Sequence, residues 1–227
     1  MEELTNVWQI PFSIFGYHNK FMVLNMTCLI MTWIVMAFLI LFAYFATKKA
    51  SLIPHPVQVV AEFLVNTFYN LVVDTLDEEN AKKYFPLICS LFLFLLLSNW
   101  LGVIPKLAEP TRDLNTTLGM GILGGIISHG SGIKVKGLKG YLKEYFSPMW
   151  FMAPLNVIGE LAQVVSVSFR LYGNILGGAI IIIIGTQLLR SFVAPPFMVM
   201  YFGLFVGLVQ AFVFTMLTLV YISLKVK

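Results

Sequence analysis

Of the chain's 227 residues, 59% are hydrophobic and only 11% are charged. Soluble domains carry about 25% charged residues, so this balance excludes an ordinary soluble enzyme or binding module and makes lipid the solvent. The net charge of +4 does not point to nucleic acid, because the basic residues lie between apolar stretches and there they set topology.

The opening Met1-Glu2-Glu3-Leu4 is acidic and lacks the basic region of a cleavable signal peptide, so the N-terminus is expected to be retained. A first membrane span is predicted over about 21–46, ending in Lys48-Lys49. Residues 56–83 read differently: Val59, Val60, Phe63, Leu64, Phe68, Leu71, Val72 and Leu76 recur at helical spacing beside Gln58, Glu62, Asn66, Asn70 and Asp74. That pattern predicts an amphipathic helix on the membrane surface. Residues 84–104 form a second span, ended by Pro105. A third, over about 116–133, is rich in glycine and suited to close packing inside a bundle. The last two apolar stretches, 149–189 and 197–224, exceed the length of an upright crossing, which predicts two strongly tilted helices joined by a turn at Ala194-Pro195-Pro196.

The expected fold is therefore an all-α polytopic membrane protein of five transmembrane helices plus one surface helix, in a single domain. Cys28 and Cys89 fall within spans and read as small packing residues. Ten lysines (48, 49, 82, 83, 134, 136, 139, 143, 225 and 227) share one side, against Lys20, Lys106, Arg112 and Arg190 on the other. The positive-inside rule then places the C-terminus in the cytoplasm or its equivalent and the N-terminus outside.

Arg170 is a permanent cation inside an apolar stretch. A guanidinium at the bilayer centre costs roughly 3 kcal/mol or more, so it is seldom kept without a partner or an ion path. Snorkelling to the interface suits Arg190, beside a proline break, better than Arg170. Asn156, Glu160, Gln163, Val167, Arg170, Asn174 and Gly177 follow spacings of four and three and form one helix face. Singly, Gln163 or Asn174 reads as bundle glue at about 0.6 kcal/mol per contact; the whole stripe reads as a hydrated path or an ionic partner's seat. Gly173 and Gly177, and Gly203 and Gly207, are pairs four apart that let another helix approach closely. Gln210 sits on the same seam of the last helix and is expected to face the Arg170 region.

Arg170-Leu171-Tyr172-Gly173-Asn174, with Gln210 in the next helix, resembles subunit a of F-type ATP synthases. Pro154-Leu155-Asn156 with Glu160-Leu161, Ser98-Asn99-Trp100-Leu101-Gly102, and the outer-loop run from Pro110 to Thr117 with Asp113 and Asn115 are similar to that family too. The resemblance implies the stator half of a rotary ion motor, in which a ring of c subunits turns against the tilted hairpin between two offset half-channels. It implies Arg170 as the essential arginine that discharges each ring carboxylate. It also implies packing of the four glycines on the c-ring, with b-type peripheral stalk subunits and the rest of the ATP synthase as partners. The expected location is a bacterial inner membrane, with an organellar inner or thylakoid membrane, whose versions share the fold, as the alternative. An arginine suits that role because its guanidinium stays protonated and cannot pass its own proton onward.

Many relatives place an acidic residue or histidine nine positions after the arginine and another seven positions before the glutamine; here these positions hold Ala179 and Gly203, and Asn156 stands where glutamate is frequent. With three titratable positions neutral, sodium is the expected coupling ion and the proton the alternative. Glu160 remains as a carboxylate at the mouth of the path. No cofactor and no fixed metal are expected beyond the transported cation. A secondary transporter is the main rival from another class, but such folds show paired repeats and the Arg170 segment has no second copy. His18, His55 and His129 lack nearby partners at metal spacing, and no G-x-x-x-x-G-K-[ST] loop occurs, so no nucleotide hydrolysis by this chain alone is expected.

Overall fold

The computed structural model describes residues 9–11, 23–48, 56–104, 107–145, 151, 153–189 and 194–226. Lys20, Lys49, Lys106, Arg190, Lys227, His18 and His55, which entered the charge and metal readings, lie outside them. Apart from a short antiparallel pair, β1 (Gln9–Pro11) and β2 (Val23–Asn25), the described architecture is helical. The helices are α1 (Met26–Thr47), α2 (Pro56–Thr75), α3 (Glu78–Trp100), α4 (Leu114–Tyr145), α5 (Ala153–Leu189), α6 (Ala194–Val199) and α7 (Gly207–Val226). A π-helical stretch, Met200–Val206, joins α6 to α7.

Four stretches are long and apolar enough to cross a membrane: Met26–Thr47, Glu78–Val103, most of α5, and Pro196–Val226. The chain is thus an all-α polytopic membrane protein. The expected third span lies within α4, which is not among the four, so the count of five rests on a helix whose glycines and polar side chains lower its hydropathy.

The predicted surface helix over 56–83 is two elements. Asp77 has extended backbone (ψ 156°) and breaks the chain between α2 and α3, and Glu78 and Glu79 then suit the positive N-terminal end of α3. The second half of α2 buries Phe68 and Val72, and Leu76 just past its end is buried with them, while Val59, Val60 and Phe63 in its first half stay exposed. Ser223 Oγ of α7 donates to the Thr75 carbonyl (3.0 Å), fixing the end of α2.

α3 is the centre of the core. Its Ile88, Leu91, Phe92 and Leu95 belong to one cluster with Phe68 and Val72 of α2, Phe214, Leu219 and Ile222 of α7, and Val167 and Leu171 of α5. Since lipid tails are as apolar as leucine, close packing rather than water exclusion holds such helices together. The glycines of α4 serve this end. A Cβ on Gly121 would lie 2.1 Å from Ser168 Oγ of α5, one on Gly125 3.0 Å from Val164 Cγ2, and one on Gly124 3.4 Å from Thr218 Cγ2 of α7. Ser128 Oγ of α4 adds a hydrogen bond to the Tyr221 carbonyl (2.8 Å). α4 then kinks at Gly137, whose φ of 73° and ψ of 158° suit only glycine, and this folds Tyr141 back toward Gly132 and His129.

At a rise of about 1.5 Å per residue, the 37 residues of α5 span roughly 55 Å against a hydrocarbon core of about 30 Å, so inclination accommodates the excess. Ala194-Pro195-Pro196, expected as a turn, is instead the start of α6. Both prolines stand in its first turn, where a missing N–H breaks no intrahelical bond.

Candidate functional site

The end of α3 supports the last helix through its polar side chains. Asn99 Nδ2 donates to the Gly207 carbonyl (2.9 Å) and Trp100 Nε1 to the Leu204 carbonyl (3.2 Å). Thr111 Oγ1, from a 3-10 turn at Pro110–Arg112, donates to Asn99 Oδ1 (2.8 Å) and holds that amide in place. A π-helical turn shifts the backbone hydrogen-bond register, and here side chains of α3 meet carbonyls at and just beyond that segment.

This changes the reading of two glycines. A Cβ on Gly203 would lie 2.4 Å from Val103 Cγ2, and one on Gly207 3.1 Å from Asn99 Cβ. Their small faces are occupied by the end of α3 and the turn at Leu101–Val103 that follows it, where the sequence expectation had placed a ring. Spacing defined the face but not its partner. Gly173 and Gly177 on α5 differ: nothing stands within 4 Å of a Cβ built on either.

Arg170 lies exposed on α5, and among the described residues its guanidinium has no hydrogen-bond or ion-pair partner in the chain. One turn on, Asn174 Nδ2 donates to Gln210 Oε1 (2.6 Å), so the α5 stripe and the α7 seam meet beside the arginine. Gln210 is buried and its Nε2 has no partner in the chain. A buried amide donor in a cavity wall is normally met by water or a ligand.

Two cavities flank this point. The larger, about 280 Å³, is bounded on α5 by residues from Asn174 to Ile183, on α6, the π-helical stretch and α7 by residues from Val199 to Gln210, and by Asn99, Gly102, Glu109 and Arg112. The smaller, about 50 Å³, is bounded on α5 by Glu160, Gln163, Val164 and Val167 and on α7 by residues from Phe214 to Lys225. Arg170 falls between the two sets, in the turn separating Val167 from Asn174.

The larger cavity holds groups that sequence reasoning missed. Glu109 precedes the quoted run Pro110 to Thr117, yet its carboxyl reaches the cavity beside Gly102. Burial raises its pKa from 4.5 to about 7, against a lowering influence from Arg112. Ala179 and Gly203 line the same cavity. Asp113 acts elsewhere, since its carboxylate accepts from the Asn115 backbone N–H (3.0 Å) and from Asn25 Nδ2, capping α4 and tying it to the start of α1. Asn115 itself is exposed.

At the smaller cavity Glu160 is paired with Lys225 and lies 3.5 Å from His129 Nε2. His129 Nδ1 is 2.5 Å from the Tyr141 hydroxyl, and the Lys225 ammonium lies over the Tyr141 ring. Glu160 thus lines this cavity as a paired carboxylate, and His129 does have an acidic neighbour, brought close by the packing of α4 on α5. Asn156 is half-buried one turn before Glu160.

A polytopic helical membrane protein with its polar groups gathered along one long hairpin is the class that fold and site define. A family model described as ATP synthase A chain matches residues 29–223. ATP synthase subunit a of Moorella thermoacetica is 38% identical over 192 residues, covering 85% of this chain and 87% of the relative. Its counterpart in Desulforamulus reducens is 34% identical over 230 residues, at 96% and 87% coverage. ATP synthase subunit a 1 of Pelobacter propionicus is 38% identical over 196 residues, at 85% and 84%. The chain belongs to the ATP synthase A chain family.

Proposed function

We propose that this chain is the ion-translocating stator subunit of a rotary F-type ATP synthase, and that Arg170 discharges the carboxylate carried by each subunit of a c-ring. The carrying observation is the pair of cavities at opposite ends of the α5–α7 hairpin with Arg170 between them. An ion descending either half-path meets a guanidinium that cannot relay a proton. It must therefore leave on the ring and re-enter after rotation. The exposed Arg170 and the open Gly173 and Gly177 face a partner in this reading, with hydration keeping the arginine–carboxylate pair transient. The larger cavity opens to the outer side and the smaller to the cytoplasm of a bacterial inner membrane, with the N-terminus outside. Peripheral stalk subunits hold the chain still, and nucleotide chemistry belongs to the rest of the complex.

Ala179, Gly203 and Asn156 favour sodium, because they take titratable groups out of the path. Glu109 weighs the other way: it puts a titratable carboxyl with a pKa of about 7 into the larger cavity, the kind of group that those three positions lack. The coupling ion we propose is the proton, with sodium as the competing reading. The complete complex, reconstituted in vesicles and given ATP, should take up no labelled sodium once an uncoupler collapses the proton gradient, and its hydrolysis should ignore sodium concentration. Uncoupler-resistant sodium uptake would establish the competitor.

A further inference from the structure

We propose that Glu109 is the proton-relaying group of the larger cavity, collecting protons at its mouth and delivering them along the wall toward Asn174 and Gln210. The inference rests on the stator reading above and deepens it. Three observations carry it. First, the seat is built: a Cβ on Gly102 would lie 1.5 Å from Glu109 Oε1, so a glycine at this position makes the room for the carboxyl. Second, Asn174 and Gln210 line the same cavity, the latter with its buried Nε2 unpartnered. Third, no other residue of the wall can take this role. Among the described residues, α3, α5, α6 and the π-helical stretch contribute no titratable side chain to it, and the charged groups are Glu109 and Arg112. Asp113, next in the chain to Arg112, is engaged with Asn25 and the start of α4.

The proton step balances simply. A proton from water at the mouth bonds to a carboxylate oxygen of Glu109, its former O–H bond breaking. The acid then passes that proton to a cavity water on the inner side and returns to carboxylate. No electrons are transferred. Burial and Arg112 pull the carboxyl in opposite directions, leaving both forms populated near neutral pH, as a relay requires.

The test uses the complete complex in vesicles. ATP-driven proton uptake is followed across neutral pH, and passive proton conductance is measured after removal of the catalytic sector. Glu109→Gln should lower both at least about tenfold and flatten the pH profile, with Glu109→Asp retaining part of each. Gly102→Ala should do the same while leaving residue 109 intact, because the added methyl meets only the end of a flexible side chain and displaces it. If Glu109→Gln does not assemble, Gly102→Ala decides. A wild-type rate and pH profile in Glu109→Gln, or in Gly102→Ala when the first variant fails to assemble, would overturn the inference. Arg170→Ala is run in parallel: its normal pumping would overturn the stator reading itself, whereas its failure beside a normal Glu109→Gln would overturn only the role of Glu109.

Discussion

A carboxyl held near pH 7 has consequences for stability as well as transport. Because the folded value of Glu109 lies above its ordinary 4.5, the protonated form favours the fold. That stabilisation is complete below about pH 4.5 and is lost as pH rises through about 7, up to roughly 3 kcal/mol in all. Glu109→Gln should abolish this dependence. Thermal unfolding of the two forms in detergent should diverge as pH rises, with the variant the more stable on the alkaline side. Equal pH dependence would mean that the carboxyl is not buried against Gly102. Glu109 could not be found from periodicity, since its position comes from a loop tucked against the end of α3. Arg170, Asn174 and Gln210 were legible because two helices of regular pitch carry them. Glu160 was legible too, but its pairing with Lys225 joins residues far apart in sequence and depends on how α5 and α7 cross.

The glycine pairs show what helical spacing can and cannot tell. Four-residue intervals identified faces suited to close approach on α5 and on the last helix, yet Gly207 is buried against Asn99 while Gly173 remains open. The two positions therefore predict different failures. Gly207→Leu should disturb the contact between α3 and the last helix and lower the stability of the isolated chain by about 1 to 3 kcal/mol. Gly173→Leu should leave the isolated chain unchanged and impair the assembled motor. Thermal unfolding of the chain, paired with rotation-coupled transport by the complex, separates the two. A stable Gly207→Leu chain would contradict the packing described. The break at Asp77 was hidden for a related reason: apolar periodicity runs on from α2 toward α3, and only the backbone at one residue ends the first helix.

At the scale of the whole molecule, the four apolar crossings and the long hairpin could be read from composition and run length, because lipid leaves few alternatives to a helix. The cavities could not, since each is a space between three or more elements. Their arrangement gives the chain its proposed behaviour, two short paths that stop on either side of one cation. Passive leak should accordingly rise when that cation is removed, while assembly survives because Arg170 makes no bond within the described chain. Arg170→Lys should also be severely impaired, as an ammonium lacks the planar fork and can lose its proton when buried. The most direct measurement is ATP-driven ion uptake by vesicles containing the complete complex with Arg170→Ala. Uptake should be abolished in a fully assembled complex; uptake at the wild-type rate would contradict the assignment of Arg170 and with it the separation of the two paths.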